Sequence, residues 1–425
     1  MSNGYKMTEL GELPENWEIK ELKEICSKDK NAIVDGPFGS NLKTEHYRQS
    51  GVPIISSGFV TTGRFIANEY LFVDHEKFHK ERRSAVAPGD IVMAKIGARC
   101  GTSAILPYSH QTSILSGNAL KISFNKTENS NTFYLYVLHN YYQNGIIDKI
   151  KTTGAQPAIS LSSLKKLKMV RPPLFEQQKI AEILTTVDEK VDVIDAQITQ
   201  TQELKKGLMQ QLLTKGIGQT QFKNSPLGDI PDSWGVERFG KLAANITTKF
   251  SGAEGCCIEL EHIEQNTGKI LGYDDFNNKA STKNHFKKGD VLFGKLRPYL
   301  RKYWFSEFEG CCTTELMVFR AREGVDSKFI FYTVQLESFI LNSVSKSFGT
   351  KMPRTSWQII SEYQLPVPPL QEQKNIAAIL SAVDDRRDVL HEKKSKYMEL
   401  KKGLMQQLLT GKIRVNHLIE TEAFT

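Results

Sequence analysis

From Leu174 to Ser225 the chain holds no proline, and its apolar residues return at alternating intervals of four and three. Two columns result: Ile180, Val187, Ile194, Thr201, Leu208 and Leu184, Val191, Ile198, Lys205, Leu212. This is a heptad seam, and it predicts a long helix in a coiled coil rather than an ordinary core helix. Pro172-Pro173 stop a preceding strand and suit the helix start. A second such stretch follows Pro368-Pro369. One of its columns is good (Ile376, Val383, Leu390, Tyr397, Leu404); the other is cationic in the middle (Leu380, Arg387, Lys394, Lys401, Leu408). Two helices of this kind in one chain would bury their stripes on each other. If they run antiparallel, Asp188 and Asp195 could pair with Arg387 or Lys394, setting alignment more than strength. A helix of about 40 residues would be roughly 60 Å long.

Both stretches end on the same twelve letters, ELKKGLMQQLLT, at residues 203–214 and 399–410, an offset of 196. The repeat is longer than that. LGELPENW (10–17) matches LGDIPDSW (227–234) at an offset of 217, and GDIVMAKIG (89–97) matches GDVLFGKLR (289–297) at 200. PPLFEQQKIAEIL (172–184) matches PPLQEQKNIAAIL (368–380) at 196 again. The blocks keep one order, so the chain is two related units, each a mixed globular segment followed by a long helix. The expected class is α+β: two mixed α/β domains at 1–165 and 217–362, helices at 166–216 and 363–415, and a tail at 416–425.

Composition narrows the function only slightly. The 425 residues carry a formal net charge of +8, which suits a nucleic-acid partner because each neutralised phosphate releases counterions. No stretch reads as a secretory signal or a membrane span, which points to the cytoplasm and away from a membrane. Six cysteines (Cys26, Cys100, Cys256, Cys257, Cys311, Cys312) form no Cys-x-x-Cys pair and read as small buried hydrophobes in strands. Nine histidines show no metal spacing, so no metal site is expected. Catalysis is not expected either. GPFGSNLK has the wrong spacing for a phosphate-binding loop. No Asn-Pro-Pro-aromatic signature for amino-methylation is present. Asp90 and Asp290, each five residues before a lysine, lack the second acid of a nuclease and read as turn residues.

Together these motifs resemble the specificity subunit of Type I restriction-modification enzymes, over essentially the whole chain. DGPFGSNLK followed by GVPIISSG is similar to one class of target-recognition domain. LEHIEQNTGKI, FKKGDVLFGKLRPYLRKYW and EGCC are similar to another. The resemblance implies a non-catalytic subunit whose two recognition domains each read one half of a split, asymmetric site in double-stranded DNA. It implies helices that act as a spacer, and two methyltransferase subunits that methylate adenine with S-adenosylmethionine. Restriction subunits using ATP and Mg would join to cut unmodified DNA; this chain itself would hold no cofactor. Two other readings stay open: a coiled-coil scaffold whose globular parts bind protein, and a specificity subunit of a fused nuclease-methyltransferase.

Three kinds of segment are candidates for DNA contact. In residues 294–304, read as a strand, Arg297, Tyr299 and Arg301 would share one face with Lys295 in line and Lys302 beside them. The matching strip of the first domain keeps Lys95 and adds Arg99. In residues 34–43, Gly36 and Gly39 permit a tight loop carrying Phe38, Ser40, Asn41 and Lys43, for hydrogen bonds and a phosphate. Before the helices, residues 151–160 and 346–356 align; Gln156 suits adenine, while Lys351 and Arg354 suit guanine or a phosphate. Each segment has a plainer reading, as core, turn or solvated charge. In the dodecapeptide, Leu213 and Leu409 exceed what the seam needs. They would meet either a docked partner or the adjoining domain.

Overall fold

The structure is a computed structural model. It describes residues 4–416 apart from 62, 153, 253, 277–281 and 350, and leaves the side chain of Ser40 undescribed. The tail expected at 416–425 therefore lies, after Asn416, outside the described residues. The chain forms two compact units: residues up to Val193 with those from Lys394 onward, and Ile194–Lys393.

In the first unit, GDIVMAKIG supplies the inner strand of an antiparallel sheet. Its strands are β1 (Ile33–Asp35), β2 (Ile91–Ala94), β3 (Ser103–Ile105) and β4 (Ala119–Ile122), in the order β1-β4-β2-β3. Alternation sorts the side chains. Ile91, Met93, Leu120 and Ile122 enter the larger core with Phe133, Tyr134 and Leu138 of the helix Asn131–Gln143. Val92, Ala104 and Ala119 face the other way, onto Ile55, Val86 and Leu115 of a second sheet. That sheet has the order Phe72–Val73, Val52–Ile55, Ser113–Leu115, Ala85–Val86, with its middle pair parallel.

The second unit repeats this plan. Strands β5 (Ala243–Ile246), β6 (Val291–Gly294), β7 (Tyr303–Phe305) and β8 (Leu316–Ala321) lie in the order β5-β8-β6-β7. Val291, Phe293, Met317 and Phe319 face one core, and Leu292, Leu316 and Val318 the other. The doubled cysteines sit in the middle strands of its second sheet, where Cys257 pairs in register with Cys311 on a parallel neighbour. Cys257, Cys311 and Cys312 are buried, and no group of residues suited to a metal occurs among the described residues.

The heptad stretches are helices of 42 residues (α1, Leu174–Lys215) and 39 residues (α2, Leu370–Leu408), each contributing one half to each unit. Of the seam residues, Ile180, Leu184, Val187, Val191, Ile194, Ile198, Leu212, Ile376, Leu380, Leu390 and Leu408 are buried; Leu208, Val383 and Leu404 are half-buried. In the first unit Glu176 meets Arg414 and Asp188 meets Lys401; in the second, Lys205 meets Asp384 and Ile217 meets Glu372. One residue number rises as the other falls, so in each unit the paired segments run antiparallel.

Lys401 of the weak column and its counterpart Lys205 in the first helix have a defined use. Lys401 binds Asp188 at 2.6 Å and lies over the Tyr136 ring, whose hydroxyl donates to Asp188 at 2.7 Å. Lys205, Asp384 and Tyr332 repeat the arrangement at 2.9 and 3.1 Å, every member shifted by 196 residues. The pairing expected for Asp188 with Arg387 or Lys394 is thus replaced by Lys401. Arg387 turns instead to Asp384 and Asp388 of its own helix. The register follows from the helix ends, which tryptophans fix. Trp17 Nε1 donates to Glu176 at 3.3 Å and Trp234 Nε1 to Glu372 at 2.9 Å. Each tryptophan shares its core with Met, Leu and Leu of one dodecapeptide: Met405, Leu408 and Leu409 with Trp17, Met209, Leu212 and Leu213 with Trp234. Leu213 and Leu409 therefore serve the adjoining domain. The dodecapeptide leucines left exposed are Leu204 and Leu400, and a methyl group added at Gly207 or Gly403 would meet nothing within 4 Å.

Candidate nucleic-acid interface

The strip 294–304 is not a strand throughout. β6 ends at Gly294, the chain turns through a short 3-10 helix at Pro298–Leu300, and β7 resumes at Tyr303. The turn is made by Arg297 and Arg301, both at φ 50° in the left-handed region that L side chains seldom occupy. The first unit has Gly97 and Gly101 at the matching positions, at φ 95° and 93°. Arg297, Tyr299 and Arg301 consequently share no strand face. Tyr303 and Trp304 belong to the core, and Tyr299 is exposed. Arg301 forms a double hydrogen bond with Glu337 at 2.8 and 2.6 Å. Lys302 points inward, its ammonium donating to the Leu260 carbonyl, and burial holds its pKa below the usual lysine value. Arg297 Nε is buried without a partner among the described residues.

The structure brings together two segments that the sequence offered separately. Residues 151–160 fold back on the end of β2, with Ile159 N donating to Lys95 O and Gly97 N to Pro157 O, both at 3.0 Å. In the second unit Thr355 N donates to Lys295 O at 3.0 Å and Arg297 N to Pro353 O at 2.7 Å. The same backbone frame thus carries Lys95, Arg99 and Gln156 in one unit and Lys295, Arg297, Lys351 and Arg354 in the other. Arg99, Gln156 and Lys351 are exposed.

What surrounds the two lysines differs. In the first unit Lys95 Nζ binds Asp35 at 2.6 Å and lies 4.0 Å from the centre of the Phe38 ring. Arg83 approaches the same carboxylate at 3.7 Å. The loop after β1 has to pass close to the turn before β4, since a Cβ on Gly36 would sit 2.0 Å from Ser116 O. Gly39 takes φ +56° to start a short turn, and Phe38, Asn41 and Lys43 are exposed. Lys95 is therefore an internal ion pair, not an outward cation.

In the second unit the equivalent lysine opens onto a cleft of about 320 Å³. Lys249, Lys295, Arg354, Thr247, Phe348 and Trp357 are among the residues lining it. Arg354 Nε donates to Glu315 at 3.2 Å and Lys249 Nζ to Asn284 Oδ1 at 3.0 Å. Lys295 meets no carboxylate among the described residues. Such a cleft, with forked and pointed donors beside exposed Phe348, can bind anions and present hydrogen bonds to a planar edge. Lys249, Thr247, Glu315 and Trp357 were not legible as site residues. They come from three separate segments: the register of β5 on β8 brings up Thr247 and Lys249, the β6–β8 pairing brings Glu315, and the segment folded back on Lys295 brings Trp357.

The model of the Type I restriction modification DNA specificity domain matches residues 14–204 and 233–400, the two halves of the repeat. The MjaX specificity subunit of a type I restriction enzyme of Methanocaldococcus jannaschii is 29% identical over 97% of both chains. The MjaVIII specificity subunit of the same organism is 26% identical over 96% of this chain and 95% of its own. Among solved structures, the type I restriction-modification S subunit of M. genitalium covers 96% of this chain and 99% of its own, at 14% identity and a TM-score of 0.56. The chain belongs to the Type I restriction-modification DNA specificity family, whose members are non-catalytic DNA-recognition subunits.

Proposed function

We propose that each unit reads one half of a bipartite, asymmetric site in double-stranded DNA, and that the chain directs adenine methylation and restriction to that site. One observation carries the reading: a single backbone frame is built twice, and its outward side chains differ between the copies. Arg99, Gln156 and the Phe38–Lys43 loop stand in one, Lys295, Lys351 and Arg354 in the other. Two readers of one design with different side chains are what an asymmetric site in two parts requires.

Two copies of one methyltransferase subunit are the proposed partners, carrying S-adenosylmethionine; restriction subunits would bring ATP and Mg. Leu204 and Gly207 in one unit, and Leu400 and Gly403 in the other, present the same exposed surface twice. Glycines there cost about 1 kcal/mol each relative to alanine, and no packing among the described residues explains them. The test is to map methylated adenines in cells with and without this chain. A bipartite motif that disappears with the chain is expected; methylation that does not depend on it would refute the reading. Leu204→Glu and Leu400→Glu should each reduce methyltransferase recruitment without unfolding the protein.

A further inference from the structure

The two units place different electrostatics around the same lysine, and this rests on the reading of both units as DNA readers. Strand register fixes the comparison. Met93 of β2 stands opposite Leu120 of β4, whose other neighbour is Asp35. Phe293 of β6 stands opposite Met317 of β8. On β8's other side Ile246 pairs with Val318, so the residue facing Met317 is Thr247. Thr247 therefore occupies the place of Asp35, and it lines the same cleft as Lys295. The carboxylate that ties down Lys95 has a neutral hydroxyl as its counterpart.

Two further differences point the same way. Arg354 stands where the first unit has Ala158, since Arg354 bridges Leu296 as Ala158 bridges Ile96. Lys249 adds a third cation. Against these three the cleft margin supplies one carboxylate, Glu315, held by Arg354. At about 30 Å³ per water the cleft has room for roughly ten waters, enough for a phosphate group and part of its hydration.

We infer that this cleft is a seat for a backbone phosphate of the DNA, with Lys249 and Lys295 as its direct cations and Arg354 at its edge, and that the first unit lacks the seat because Asp35 occupies Lys95. The second unit is then the electrostatic anchor of the pair. The first depends more on hydrogen bonds from Gln156, Asn41 and the loop around Phe38.

The experiment is binding of the full chain to a mixed-sequence duplex over a series of salt concentrations, because a phosphate contact is indifferent to sequence. Lys249→Ala, Lys295→Ala and Thr247→Asp, which restores the carboxylate of the first unit, should each make log K against log salt less steep by about 0.9. Lys288→Ala, at the opposite end of β6, should leave the slope unchanged. Should Thr247→Asp fail to fold, the two lysine variants carry the test. Wild-type slopes in folded Lys249→Ala and Lys295→Ala proteins would overturn the phosphate seat while leaving the DNA reading intact. A wild-type chain that binds no duplex would overturn both.

Discussion

Glu176 and Glu372 occupy the same place in the two units, each accepting a hydrogen bond from the indole of a buried tryptophan, yet they are completed differently. Glu176 is fully buried and gripped by Arg414 through two bonds of 3.0 and 2.6 Å. Glu372 is half-buried and receives neutral donors instead, Gln219 Nε2 and the backbone N–H of Ile217. Elsewhere in the framework the copies agree in detail. Gln177 and Gln373 each accept from the cap of the next helix, Ser130 N and Asp326 N, at 2.9 Å. Each also donates to a proline carbonyl, of Pro172 and Pro368. The glutamine contacts at the starts of the long helices thus keep both geometry and residue type. The segments that follow the long helices keep geometry with changed chemistry, and the outward faces keep only the backbone.

The first way to test this contrast is to cut the unequal contacts. Arg414→Ala leaves Glu176 charged and buried, a loss of about 3–5 kcal/mol. Gln219→Ala removes one neutral donor, shared between both oxygens, from a carboxylate that keeps two other donors, a loss of about 1 kcal/mol. Urea unfolding would report both; equal losses would mean that the two ends are equivalent after all. Next come the faces. Arg354→Ala and Gln156→Ala should each cost about 1–3 kcal/mol of DNA binding if they read bases, and should relax one position each, in different half-sites. Methylation profiles of the two variants would show whether the relaxed positions fall in separate halves.

A smaller effect separates the paired lysines. Burial draws the pKa of Lys205 below the usual lysine value of 10.5, although Asp384 partly offsets this. A lysine whose folded pKa is lowered binds its proton less tightly when folded than when unfolded. The unfolded chain then holds more protons between the lowered value and 10.5, so stability rises with pH across that alkaline window. Comparing the wild type with Lys205→Met isolates the contribution: the wild type should gain on the variant as pH climbs toward 10.5. A constant difference between them would mean that the ammonium is not desolvated.

Much of the framework was legible because its signals are periodic or repeated. The heptad columns gave both helices and most of their buried faces, and the ordered blocks gave the repeat; the compact units cut across it, each taking part of both helices. The site was legible only by segment. Lys95 and Lys295 head matching motifs, and within ten residues each has the same single carboxylate, Asp90 or Asp290, so no nearby acid tells which lysine is paired. Their difference lies in Asp35 and Thr247, about sixty and fifty residues upstream, brought close only by strand register. Strand alternation misled at Arg297 and Arg301, because two consecutive left-handed turns interrupt the strand where residue type argues against them. Asp188 was misassigned for a related reason. The helix register, anchored at its ends beside Trp17 and Trp234, brings Lys401 to it rather than Arg387 or Lys394.

Those two arginines give the finest test of the comparison. A left-handed conformation costs an L residue roughly 1–2 kcal/mol, and the first unit avoids that cost with Gly97 and Gly101. Arg297→Gly gives the second unit the residue of the first and removes a buried Nε that has no partner among the described residues. Glycine also gains more freedom in the unfolded chain, which offsets part of the relief. The net expectation is a protein more stable by about 1 kcal/mol or somewhat less, read from the midpoint of urea unfolding. DNA binding should move the other way, because strain held at a turn beside the cleft is expected where a site needs that side chain in that place. Arg301→Gly gives a weaker version, since it also loses the exposed pair with Glu337, worth about 0–1 kcal/mol. If Arg297→Gly stabilises the fold and binds DNA as well as the wild type, the arginine is a tolerated accident, and the two turns differ in sequence without differing in use.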